Sequence, residues 1–134
     1  MRRTAIAAAA ALCLAPLVAV PIASASPGLQ YVNHVQWAKW GDLSSLRVFP
    51  TTAARKASGL ASVAQGEQAW AEVLTLAPDA DIPGMKPQFI CHWEFAELSE
   101  PGKSSWNLEP WRPEVSDEEM VQAGCNPGGT EEPF

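Results

Sequence analysis

Gln88-Phe89-Ile90-Cys91-His92-Trp93-Glu94-Phe95 is the stretch on which the fold turns. Phe89, Cys91, Trp93 and Phe95 fall on one side of it and Ile90, His92 and Glu94 on the other, the period of two that a half-buried strand requires. Read as a strand, the octet calls for a partner. Glu97 to Ser105, with Pro101-Gly102, is a returning loop, and Trp106 to Leu108 is then expected to pair back antiparallel. Upstream, Tyr31 to Trp40 and Leu46 to Phe49 mix β-branched, aromatic and polar residues across Gly41-Asp42, which predicts a first hairpin. Pro50 stops its second strand, and Thr51 or Thr52 is placed to cap a helix. From Ala53 to Leu76 the chain is alanine-rich, with Leu60, Val63, Trp70, Val73 and Leu74 near one helical face; a break is expected near Gly59 or Gly66. Pro78 to Gly84 is dense in turn formers. Downstream, Ser116-Asp117-Glu118-Glu119 is a capping box opening a short helix to Ala123, with Gly124 as its left-handed exit. The predicted class is α+β: antiparallel hairpins packed on one long helix, with a short C-terminal helix and one disulfide.

The N-terminus reads as an export leader. Arg2 and Arg3 precede an uncharged apolar run from Ala5 to Val20, broken by Pro16, and the small-residue site Ala23-Ser24-Ala25 follows. Cleavage after Ala25 is expected; 134 less 25 leaves 109 residues (26–134), enough for one secreted domain with one core. Cys13 leaves with the leader. Cys91 and Cys125 remain, and two cysteines in an exported chain predict a disulfide, worth roughly 3 to 4 kcal/mol for a loop of this length. No later segment is long and apolar enough to span a membrane.

Loss of Arg2 and Arg3 takes the net charge from −6 to −8, with 7 basic and 15 acidic residues left. The excess is uneven, since ten acidic residues from Phe89 onward face only Lys103 and Arg112. Such a chain lacks the basic footprint that phosphates require, which argues against nucleic acid as a partner. Adsorption to an anionic membrane is disfavoured for the same reason. Solubility is the plainest use of the surplus.

Trp106-Asn107-Leu108-Glu109-Pro110-Trp111-Arg112-Pro113 places two tryptophans, two prolines and an opposite-charge pair in eight residues. The prolines fix their own backbone and push Glu109 and Arg112 into extended conformation, so a rigid strap is expected. Its tryptophans serve either as plugs of the core or as a platform for a ligand, and Glu109 and Arg112 are expected to pair at the surface, where a pair contributes under about 1 kcal/mol. Cys91-His92 does not make a thiol nucleophile with its base, because strand neighbours point apart. His92 and Glu94, by contrast, would share a strand face and could meet His34, as a polar face or as a weak metal set. His92-Trp93-Glu94 lacks the thiolate pair of a zinc deaminase, and Gly102-Lys103-Ser104 lacks the earlier glycine of a phosphate loop. No cofactor or metal is expected.

Taken together, Gln88-Phe89-Ile90-Cys91-His92, the Trp106 to Pro113 strap and Gly124-Cys125-Asn126-Pro127-Gly128-Gly129 resemble a family of small secreted bacterial proteins known only as a domain of unknown function. Val48-Phe49-Pro50-Thr51 and Ala69-Trp70 extend the likeness over most of the mature chain. The resemblance implies export and one disulfide-bearing domain, and it implies no catalytic residues.

No complete catalytic constellation is present, and the C-terminal half is aromatic and acidic. The expectation is therefore a secreted, non-enzymatic binding module whose partner is an extracellular protein or an envelope ligand. Its surface is expected around His34, His92, Glu94, Trp106, Trp111 and Arg112. The competing class is a small secreted hydrolase of envelope polymer or peptide, with His92 as acid-base and Glu94 or Glu109 assisting. A third is a structural envelope protein without a small ligand.

Overall fold

The computed structural model describes residues 28–129; the expected leader, Met1 to Ala25, and Cys13 within it lie outside them. Strands β1 (Val32–Trp40) and β2 (Leu43–Pro50) form the expected hairpin, closed by Gly41-Asp42. Gly41 takes φ 57, the positive value that a two-residue turn matched to strand twist demands. The register slips by one residue between Val32 and His34, a bulge near the start of β1. Helix α1 (Thr52–Ala57) begins at Thr51, whose hydroxyl accepts from the Ala54 amide. The predicted long helix does break at Gly59, where φ is 134, and resumes as α2 (Val63–Leu76). Gly66 lies inside α2 for a different reason: a Cβ there would sit 3.1 Å from Cδ1 of Trp93, so glycine sets how closely the helices approach.

The octet from Gln88 to Phe95 is helical. It lies within α3 (Met85–Ser99), preceded by Gly84 at φ 86 and carrying Pro87 in the first turn, where a missing amide hydrogen costs nothing. The strand expectation fails because α3 is covered on two sides. Met85, Phe89, Trp93 and Ala96, at four-, four- and three-residue steps, face the sheet and α2, while Cys91 is buried in a second cluster with Met120 and Cys125. A helix sandwiched in this way shows no single apolar stripe, and eight residues of it alternate by accident. Trp106–Leu108 consequently has no strand there to pair with. As β3 it adds to β2 instead, antiparallel, with Leu46 opposite Leu108 and Val48 opposite Trp106.

The result is α+β: one three-stranded antiparallel sheet in the order β1-β2-β3, with several helices packed against it. The core is aromatic. Trp93 and Trp106 meet edge to face at 6.1 Å, Phe89 and Trp106 at 6.0 Å, and Tyr31 stands edge-on to Trp93 at 5.3 Å. Glu72 of α2 accepts from both the Tyr31 and Val32 amides at 2.8 Å, which ties the start of β1 to the helix layer. Helix α4 (Asp117–Gln122) starts in the predicted capping box, with Ser116 and Glu119 satisfying each other's amides. Gly124 leaves it at φ 60, and Cys125 closes onto Cys91 in the expected disulfide.

Candidate functional site

The strap proves to be a structural hub. Trp106 is fully buried, and so are the side chains of Glu109 and Arg112, which corrects the expected surface pair. Arg112 Nε donates to Glu109 Oε2 at 2.6 Å, and Ser45 Oγ donates to the other carboxylate oxygen at 2.8 Å. Gln88 of α3 clamps the backbone of Glu109 from both sides, its Nε2 donating to the carbonyl at 3.0 Å and its Oε1 accepting from the amide at 2.9 Å. Arg112 Nη1 then reaches the carbonyls of Pro127 and Gly129 at 3.1 and 2.8 Å. One residue pair thereby joins β2, α3 and the C-terminal turns. A buried pair with every partner in place is tolerable, whereas losing one member strands a charge away from water.

The six residues expected to form a surface do not converge. Trp106 and Arg112 are buried in the hub, and His92 is 4% exposed, its Nδ1 lying 2.8 Å from the Gln88 carbonyl. Trp111 is half-buried, its indole N–H held by the Ser44 carbonyl at 3.1 Å and its ring 4.6 Å from the Arg112 guanidinium carbon. His34 lies on β1, stacked on Phe49 at 4.1 Å with its Nδ1 near the Asn33 side chain. His92 and Glu94 cannot share a face as they would on a strand, because residues two apart on a helix point to nearly opposite sides. The pairing of His92 with Glu94 in a hydrolase goes with it. Among the described residues no group of three or more His, Cys, Asp or Glu could hold a metal ion, and no helix is long and apolar enough to cross a membrane.

The fold opens a cleft of about 530 Å³ beside Trp37, Asp79 and Pro110, and further clefts along the outer face of α3. One cleft of about 280 Å³ runs between α3 and α4, floored by Ile90, Met120 and the buried disulfide, with Glu94 on one wall and Asp117 on the other. A second, of about 410 Å³, lies between α3 and the α1–α2 connection, lined by Leu60, Leu98 and again Glu94. Leu98 is 71% exposed, Leu60 61% and Val121, on the first cleft, 46%. Glu94 is the ridge the two clefts share. On the far side of α4 a third cleft of about 240 Å³ contains His92 with Phe95, Glu100, Lys103 and Asn126.

Charge is spent unevenly over these surfaces. Glu97 pairs with Arg55, Glu67 with Lys86 at 2.8 Å, and Glu100 with Lys103 at 3.5 Å. Glu94 and Asp117 have no ion pair among the described residues. Residue type in the sequence pointed to the tryptophans; the signal for the α3 face was the run of helix formers Ala96-Glu97-Leu98 after the octet, which places Leu98 and Glu94 one turn apart.

Uncharacterized proteins of Mycobacterium tuberculosis and Mycobacterium bovis are each 58% identical to the chain over 103 residues, 77% of this chain and 70% of theirs. An uncharacterized protein of Mycobacterium leprae is 48% identical over 103 residues, 77% of this chain and 84% of its own. No solved structure matches. The strap, the disulfide and the α3–α4 face all lie within residues 32–128, over which the chain matches, and therefore belongs to, the family described as a protein of unknown function (DUF2599).

Proposed function

We propose that the chain is exported, loses residues 1–25 and serves outside the cytoplasm as a non-enzymatic binding module whose contact surface is the outer face of α3. The leader pattern of Arg2 and Arg3, the apolar run and Ala23-Ser24-Ala25 supports export, and a disulfide between Cys91 and Cys125 suits an oxidising compartment. The observation that carries the binding role is the pair of clefts meeting at Glu94, with Leu60, Leu98 and Val121 exposed beside them. Large apolar side chains grouped on a rigid surface mark an interaction site. Rigidity comes from the disulfide below the first cleft and from the Glu109–Arg112 hub behind α3, so little ordering is left to be done on binding.

The test is capture from cell-envelope or host extracts by the mature, disulfide-bonded protein. A partner retained by wild type and by Trp111→Ala but lost by Leu98→Asp supports the α3 face. Equal capture by wild type and Leu98→Asp, with loss in Trp111→Ala, moves the surface to the strap.

A small hydrolase is the second reading, favoured by one observation: His92 lines the third cleft together with Glu100 and Lys103. A substrate screen in which His92→Ala abolishes turnover while the fold is kept would establish it. Turnover untouched by His92→Ala, or none in wild type, rejects it.

A further inference from the structure

We infer that the α3 face takes a polypeptide segment of a partner protein that carries a basic residue flanked by apolar ones, and that Glu94 and Asp117 read its charge. The inference rests on the binding-module role proposed above and adds the chemistry of the ligand. Two clefts joined at a ridge make an elongated surface, suited to an extended or helical segment more than to one compact small molecule. Their apolar parts ask for aliphatic or aromatic side chains.

The polar parts ask for a cation. Four carboxylates, Glu67, Glu97, Glu100 and Glu109, already hold a lysine or arginine of this chain, whereas Glu94 and Asp117, which both line the first cleft, form no ion pair among the described residues. Lys86, also on that cleft, is engaged by Glu67. A partner's lysine or arginine entering the first cleft would lay its alkyl stem along Ile90 and Met120 and bring its charge to a carboxylate, Glu94 or Asp117, that lines it.

Occupants from the same molecule fit worse. The residues after Gly129 read Thr-Glu-Glu-Pro-Phe and offer no cation. A second copy would bring a chain of net charge −8 after leader loss against an acidic cleft. Anionic lipid is repelled for the same reason.

The experiment selects a displayed random peptide library on the immobilised, disulfide-bonded mature protein, then measures the enriched peptides by fluorescence anisotropy. Enrichment of sequences with arginine or lysine beside leucine, isoleucine or aromatic residues is expected. Their affinity should fall about tenfold in Glu94→Gln/Asp117→Asn and further in Glu94→Lys, and should weaken as salt is raised. Since Asp117 lies in the first turn of α4, Glu94→Lys alone, checked for unchanged melting temperature, separates charge reading from folding.

Enriched peptides without an excess of basic residues, or basic ones indifferent to Glu94→Lys, overturn the inference. The binding face itself then survives only where Leu98→Asp still abolishes peptide binding or extract capture. Binding to phosphatidylcholine vesicles with no peptide enriched would assign the apolar face to a membrane and also overturn it.

Discussion

The strap from Trp106 to Pro113 and the outer face of α3 contain the same kinds of residue in opposite circumstances. Both join large apolar side chains to carboxylates, yet in the strap Trp106 and Glu109 are fully buried and Glu109 is bonded inward to Arg112 and Ser45, while on α3 Leu98 is 71% exposed and Glu94 forms no ion pair among the described residues. Tryptophan, arginine and glutamate close together suggest recognition wherever they occur. Here the dense cluster holds the molecule together, and the sparse one is left free to touch something else. Availability, set by which way the layers close, separates the two.

That contrast is sharpest in stability. Trp106→Ala should cost about 4 kcal/mol, because it empties the centre of the aromatic core; urea unfolding of the purified variant checks this, and a loss under 1 kcal/mol would make Trp106 dispensable to the core. Glu109→Gln should cost about 3 kcal/mol by leaving the buried Arg112 guanidinium without its anion, and Ser45 and Gln88 cannot replace that charge. Replacing Cys91 and Cys125 together by serine should lower stability by roughly 3 kcal/mol, read against the oxidised wild type in the same denaturant series. Ser116→Ala should remove about 1 kcal/mol through loss of the α4 cap. Leu98→Ser should change stability by no more than about 0.5 kcal/mol while abolishing partner capture. A Leu98 variant that unfolds as readily as a Trp106 variant would erase the distinction.

Sequence alone made the local devices legible. Ser116 and Glu119 find each other three residues apart, Thr51 caps α1 within its own turn, and Gly41 and Gly59 adopt positive φ for reasons contained in their immediate segments. The disulfide was legible by elimination, since the expected leader would take Cys13 and leave only two cysteines. What depended on distant contacts was not. The octet Gln88 to Phe95 reads as a strand because its burial comes from two layers that no eight-residue window contains; extending the window to Met85 and Ala96 restores a helical spacing. β3 finds its partner at Leu46 to Val48, far back along the chain, and the Glu109–Arg112 pair is buried only because that pairing carries the strap inward. Of the expected surface, Glu94 remains on the proposed face, while Trp106, Arg112 and His92 are buried.

The most direct test is methyl and indole NMR of the labelled mature protein, titrated with a peptide selected on it. Binding at the α3 face predicts shifts of the methyl signals of Leu60, Ile90, Leu98 and Val121, with the indole N–H signals of Trp106 and Trp111 unmoved. Shifts confined to Trp106 and Trp111, with those methyl signals silent, would return recognition to the strap and contradict the division of labour between the two regions.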